Sequence, residues 1–197
     1  MNKKIKQNLK SLKDYIKIFI LIFRKSNYDS KVFCIGYNKT GTTSLGRSLK
    51  MLGYKNSSFN KIVWKKYYLN NRIDKVLKYT AKFDSLDDLP WLKEEMIPIL
   101  DKKFPNSKFI YLIREEEAWK KSLNNWSYKK FEKHPDLEKS LEEYKSHKDF
   151  VLDYFKKRSE EDFIILDIKD PEGFKKLGLF LGKTTSRDDF PHFNKGN

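Results

Sequence analysis

The run KVFCIGY, residues 31–37, constrains the fold more than any other part of the chain. From Val32 it is short, continuous and apolar, and it closes on a glycine, as a strand buried on both faces of a sheet does. After the loop NKTGTTS, Leu45, Leu49 and Leu52 recur at i, i+4 and i+7, which gives one apolar helix face stopped by Gly53. A buried strand that passes through a glycine-bearing loop into an amphipathic helix is the opening unit of a parallel α/β sheet.

The rest of the chain repeats the alternation. Residues 61–79 read as a Lys- and Tyr-rich helical stretch of weaker periodicity, and AKFDSL, residues 81–86, as a short strand. A helix is expected from Pro90 to about Phe104, with a kink or break at Pro98. SKFIYLIR, residues 107–114, is the clearest strand and leads into EEEAWKKSLNNW, whose leading glutamates suit a helix N-terminus. A long charged helix is expected over about Asp136–Arg158, then the strand DFIILDI and a last helix between Pro171 and Gly182. Every strand reads as buried, so the expected fold class is α/β: a three-layer sandwich around a central parallel sheet, of the P-loop nucleotide-hydrolase-like type. In such sheets ligands bind beyond the carboxyl ends of the strands. That directs attention to residues 37–44, 84–90, 114–122 and the segment after Ile168. No repeat or low-complexity tract interrupts the pattern, and the expected division is a basic helical segment, residues 1–30, before one domain, residues 31–197.

With 42 basic and 27 acidic residues the net charge is +15, which suits an anionic partner as well as a mere compositional bias toward lysine. The single cysteine, Cys34, excludes an intramolecular disulfide and reads as a core residue. His134, His147 and His192 are far apart, and no Cys/His spacing suits zinc, so no metal is expected. In the N-terminal segment the apolar run Ile18–Phe23 is too short to span a bilayer, and no small-residue cleavage site follows its basic front. Two readings of it stand: a helix packed onto the domain, or a basic amphipathic helix whose residues 1–25 lie on a membrane surface. The expected location is accordingly cytoplasmic, with membrane association the alternative.

The loop itself begins as a phosphate-binding GxxxxGK[ST] motif, with Gly36 and Gly41 correctly spaced, but Thr42 occupies the lysine position. The only lysine in the loop, Lys39, comes two residues before Gly41. In a triphosphate site the lysine after the glycine reaches the outer phosphates and the next hydroxyl holds magnesium. Here Thr40, Thr42, Thr43 and Ser44 surround the expected helix N-terminus with hydroxyls instead. Strand, loop and helix together present backbone N–H groups and a positive helix end to an anion. The pattern suits a terminal phosphate gripped without metal.

NKTGTTSL resembles the 5′-phosphosulfate loop of sulfotransferases, which use 3′-phosphoadenosine 5′-phosphosulfate (PAPS) and release adenosine 3′,5′-bisphosphate (PAP). That family carries a PKSGTT-type segment here; Asn38 and Thr40 replace its proline and serine. KFIYLIREEEAWKKSLNNW resembles the family's 3′-phosphate segment, with Arg114 at a strand end and Ser122 eight residues on. KFDSLDDLPW, YKSHKDFVLDYFKKR, FIILDI and FKKLGLFLGK extend the resemblance to a compact microbial branch over roughly residues 31–195. The resemblance implies that Lys39 lies near the oxygen bridging phosphorus and sulfur. Thr40, Gly41, Thr42, Thr43 and Ser44 would hold the 5′-phosphate, and Arg114 and Ser122 the 3′-phosphate. Arg158 and His147 match positions of the same branch, although so charged a helix also reads as a solvated face. Lys195–Gly196 falls where a late basic loop touches the 3′-phosphate in related enzymes.

An acceptor hydroxyl also needs a base. Asp88–Leu89–Pro90 has the spacing of the His-x-Pro that carries it in many cytosolic sulfotransferases, so Asp88 is the candidate, with Asp84 and Asp87 as alternatives. Asp87 or Asp88 could equally cap a helix opened by Pro90. Trp119 and Trp126 read as core residues. The implied reaction is transfer of a sulfuryl group from PAPS to a hydroxyl or amine of a small-molecule or carbohydrate acceptor, without nucleic acid. The rival readings are a P-loop small-molecule kinase using ATP–Mg²⁺, and a non-catalytic anion-binding module. The acceptor pocket is expected between the segments 56–79 and 127–146.

Overall fold

The computed structural model describes residues 16, 26, 28 and 30–191. Most of the segment 1–30, with its expected helix and membrane contact, and Lys195 therefore lie outside the described residues. Of that segment, Ser26 donates to the Asp84 carboxylate at 2.5 Å and Tyr28 stacks on Tyr54, so both touch the domain.

The elements are β1 (Val32–Cys34), α1 (Thr42–Met51), β2 (Asn56–Ser57), α2 (Ile73–Thr80), β3 (Ser85–Asp87), α3 (Met96–Lys103), β4 (Lys108–Ile113), α4 (Glu116–Phe131), α5 (Leu137–Phe155), β5 (Phe163–Asp167) and α6 (Gly173–Phe180). The five strands are all parallel and lie in the order β2-β3-β1-β4-β5. The expected α/β sandwich is therefore the observed architecture. Its consequence for function is immediate: β3, β1 and β4 are neighbours, so the segments leaving their carboxyl ends are neighbours too.

Two apolar clusters flank the sheet. Phe33, Ile35, Leu86, Phe109 and Tyr111 face one side, against Val76, Trp91, Met96, Leu100, Val151 and Phe155. Val32, Cys34, Ile110, Leu112 and Leu166 face the other, against Leu45, Leu49, Phe174 and Leu177. This alternation along β1 and β4 is the period-two consequence of a strand covered on both faces. Leu45 and Leu49, both fully buried, hold α1 to the sheet; burial of each such side chain is worth about 1.5–3 kcal/mol.

Four expectations are corrected. The strand near residue 84 begins at Ser85, so Asp84 stands at its amino end. The helix expected from Pro90 begins only at Met96; Pro98 is its third residue, where a missing N–H breaks no helical bond, so no kink arises. Residues 61–79 are not one helix: a π-helical turn over Val63–Tyr67 and a 3₁₀ turn over Tyr68–Asn70 precede α2. Nor is every strand buried, for β5 is an edge strand whose Ile165 is exposed. The two-residue strand β2 carries no apolar run and was not legible in the sequence.

Candidate functional site

The loop after β1 is shaped by two residues with positive φ, Lys39 (68°) and Gly41 (115°). Left-handed residues between right-handed ones turn successive N–H groups toward one point, the geometry of an anion nest. Gly41 is needed twice over, since a Cβ there would lie 2.5 Å from Ile168 Cδ1. It is the N-cap of α1 and no side chain caps that end. The amides of Thr42 and Thr43 therefore face outward with the positive end of the helix dipole behind them. Thr40 is fully buried and donates its hydroxyl to the Tyr37 carbonyl at 2.7 Å, so it contributes to loop shape and offers an anion its amide rather than its O–H.

Helices α4 and α5 fix this loop from one side. Trp119 donates from Nε1 to the Asn38 carbonyl at 2.8 Å and stacks on Tyr144, their centroids 4.8 Å apart. The Tyr144 hydroxyl donates to the Arg114 carbonyl at 3.0 Å, and Tyr37 packs against Trp119, Tyr144 and His147. Buried His147 contacts the Ile35 carbonyl through Nε2 at 2.8 Å, so that nitrogen carries the proton; burial lowers its affinity for a second one. His147 thus supports the loop from beneath. Tyr37 and Tyr144 were not singled out in the sequence. The only signal was the buried face Tyr144, His147, Val151 at i, i+3 and i+7.

Arg114 follows β4 and turns back over the loop, donating from Nη1 to the Lys39 carbonyl at 2.9 Å. Its Nε is buried without a hydrogen-bond partner among the described residues, as is Asn38 Oδ1. A buried guanidinium N–H beside outward-facing loop amides fits an anionic oxygen. Lys39 lies partly buried with its ammonium 5.0 Å from the centroid of Trp126. Burial, and then the charge of Arg114, draw its pKa below the ordinary lysine value. Ser122 sits on α4 between Trp119 and Trp126, the residues that reach Asn38 and Lys39. Trp126 is 40% exposed, which corrects its expected place in the core; Trp119 is fully buried.

The three aspartates separate cleanly. Asp84, fully buried at the opposite end of β3, accepts from Ser26 and from the Lys55 amide, and is no longer a candidate base. Asp87 is buried and accepts from Asn56 Nδ2 at 2.6 Å and Ser58 Oγ at 2.8 Å, beneath Gly46, where a Cβ would meet Asp87 Oδ2 at 2.4 Å. Asp88 alone is part exposed at the carboxyl end of β3, in a left-handed conformation (φ 71°) that aspartate tolerates. It accepts from the Leu89 amide at 2.7 Å. Burial raises its pKa, against opposing pulls from the Leu89 amide, Lys39 and Lys130.

Burial pushes the Asp87 carboxyl up from 3.8 to about 6 despite its hydrogen bonds. A raised carboxyl pKa means that the folded chain holds a proton the unfolded chain has already released. This contribution is fully present below about pH 4 and is lost as pH rises through about 6. In denaturant titrations the stability advantage of wild type over Asp87→Asn should therefore shrink by about 2 kcal/mol from pH 4 to pH 7. A constant difference across that range would rule out a raised pKa.

Arg158 does not join the site. Helix α5 carries the chain back to the amino edge of the sheet, where Arg158 is bound to the Asp101 carboxylate and lies 3.8 Å from Asp162. Its expected role in cofactor binding is withdrawn on that placement. The structure brings together Lys39, Thr40–Ser44, Asp88 and Arg114, and puts Ser122 one turn along α4 from both Trp119 and Trp126. It adds Lys130, whose ammonium lies 4.6 Å from the centroid of Trp126. Among the described residues no cluster of His, Cys, Asp or Glu could hold a metal ion, and no helix is long and apolar enough to cross a membrane.

Residues 31–137, just over half of the chain, match the family profile described as a sulfotransferase domain. No curated protein matches the chain. Among solved structures, mouse sulfotransferase SULT7A1 complexed with PAP superposes with a TM-score of 0.54 at 19% identity, over 84% of this chain and 63% of that one. A gluconokinase from Sinorhizobium meliloti 1021 superposes with a TM-score of 0.51 at 13% identity, over 81% of this chain and 94% of that one. At such identities the two structures establish a shared fold.

Proposed function

The chain belongs to the sulfotransferase-domain family and is an enzyme of sulfuryl transfer, and on that premise we propose that it moves the group from PAPS to a hydroxyl or amine of a small-molecule or carbohydrate acceptor, releasing PAP. The observation that carries this reading is the convergence of the Arg114 guanidinium on the loop of Lys39, joined by the bond to the Lys39 carbonyl. Two stretches 75 residues apart thereby offer one ligand both a fork of donors and a nest of amides. The crystallised SULT7A1 carries PAP, which favours the same donor here.

On this reading the amides of Thr42 and Thr43, with the hydroxyls of Thr42, Thr43 and Ser44, receive the 5′-phosphate. Thr40 and Gly41 shape the turn that presents them. Arg114 and Ser122 receive the 3′-phosphate, with Lys195 a further candidate. Lys39 stands where charge grows on the leaving phosphate oxygen, and its ammonium offsets that charge. The acceptor oxygen forms a bond to sulfur as the bond from sulfur to the phosphate oxygen breaks, the electron pair leaving with the phosphate. The acceptor proton passes to Asp88, whose pKa burial lifts toward the working range of a base. Positioning supplies the rest: loop, strand ends and α4 hold the reactants in line.

The gluconokinase fold makes ATP–Mg²⁺ the appropriate control ligand. Calorimetric titration of the full chain should show PAP binding in the presence of a chelator, and ATP–Mg²⁺ binding at least tenfold more weakly. Tight ATP–Mg²⁺ binding with no response to PAP would replace this reading with a kinase. Silence toward both would leave an anion-binding module.

A further inference from the structure

Ser122, Trp126 and Lys130 fall at i, i+4 and i+8 along α4, so they form one line on one face of the helix. Each step advances about 6 Å along the axis. The middle residue carries two cations: the ammonium of Lys39 lies 5.0 Å from the Trp126 centroid and that of Lys130 4.6 Å from it. The line therefore starts beside the proposed 3′-phosphate position, passes the lysine of the transfer centre and ends one turn beyond it. With the donor oriented as proposed, that last position falls on the acceptor side. Consistent with this, the charge of Lys130 acts on Asp88, the candidate base, as well as on Lys39.

The donor already accounts for the other two cations. Lys39 and Arg114 face its phosphates, whereas Lys130 is exposed and, among the described residues, forms no ion pair with a carboxylate. A second ammonium on the same indole as Lys39 repels it, and the Asp88 carboxylate, whose charge acts on both, is shared between the two. An anion arriving with the acceptor would give Lys130 a counter-charge of its own. Trp126, part exposed beside the two ammoniums, adds an apolar surface for the acceptor's carbon skeleton.

Resting on the donor reading above, we infer that Lys130, on the platform of Trp126, selects acceptors that carry an anionic group beside the hydroxyl to be sulfated. Lys130 is a specificity residue, touching the acceptor's acid group and not the reacting atoms. It draws such acceptors in and holds them with the hydroxyl toward Asp88, while cationic compounds are repelled.

The test uses two matched pairs, each differing only in an acid group: 4-nitrophenyl glucuronide against 4-nitrophenyl glucoside, and 4-hydroxyphenylacetate against 4-hydroxyphenylacetamide. Sulfation of each from radiolabelled PAPS is followed by wild type, Lys130→Ala, Lys130→Arg and Lys130→Glu. Wild type should favour the acid member of at least one pair at least tenfold in kcat/KM, chiefly through KM. Lys130→Ala should bring the ratio near unity, Lys130→Glu should invert it and Lys130→Arg should restore it, with PAP affinity unchanged within twofold. Equal constants within both pairs in wild type, including no turnover of all four compounds, would overturn the inference. So would a ratio that survives in Lys130→Ala. A tenfold loss of PAP affinity in Lys130→Ala would overturn it too, by assigning the residue to the donor. Failure of wild type to bind PAP at all identifies the donor reading as the fault, and the inference falls with it.

Discussion

Arg114→Ala should weaken PAP binding about 100-fold in calorimetric titration. The guanidinium stands where it can give two charge-assisted hydrogen bonds to one phosphate, and their joint loss is worth about 3 kcal/mol; each 1.4 kcal/mol is tenfold in affinity. Its buried Nε has no partner among the described residues, so a ligand oxygen is the natural acceptor. Arg114→Lys keeps the charge but not the planar fork, and should still lose about tenfold. The substitution also removes the bond to the Lys39 carbonyl, so thermal unfolding must be measured alongside. Wild-type affinity for PAP in a folded Arg114→Ala protein would show that the side chain serves only to brace the loop.

Asp88→Asn should lower kcat by about 1000-fold, the middle of the range for removal of a general base. PAP affinity should stay within twofold, because an asparagine can still accept from the Leu89 amide and leaves the phosphate loop unchanged. The pH profile distinguishes a chemical from a structural role. Burial favours the protonated carboxyl, while the working base is the carboxylate, so the wild-type rate must climb with pH through a pKa above the ordinary 3.8. Asp88→Asn should lack that acidic limb. Asp87→Asn, one residue away, should retain it, since the Asp87 carboxylate is enclosed by Asn56, Ser58 and α1. Equal turnover in Asp88→Asn and wild type would remove Asp88 from the chemistry.

Much of this site was legible because its pieces are local. A phosphate nest needs a glycine at a left-handed position just before a helix, and Gly41 with its flanking threonines announces that in seven letters. An arginine at the end of a β-rich run, as in SKFIYLIR, is likewise visible from neighbours alone. What failed were residues whose role depends on the direction of an element. Arg158 follows the helix that carries His147 and Tyr144, which support the loop, yet α5 spans 19 residues, about 28 Å at 1.5 Å per residue. Its end is therefore delivered to the far edge of the sheet. Asp84 failed for a smaller reason: the strand starts one residue after it, and moving the boundary moves the side chain from the carboxyl to the amino end. Trp126 read as core because aromatic residues usually are. It is instead 40% exposed, with the ammoniums of Lys39 and Lys130 beside its ring.

The sequence by itself determined the alternation of strand and helix, the parallel sense of the sheet, and the loop in which a lysine precedes the glycine, since each rests on interactions within a few residues. Only the tertiary structure decided that β1 lies between β3 and β4, and so that Asp88, Lys39 and Arg114, which are distant in the chain, leave adjacent strands on the same side. The physical reason is that strand order is set by long-range packing. Periodicity says that a strand is covered on both faces, and is silent on which strand lies at its edge.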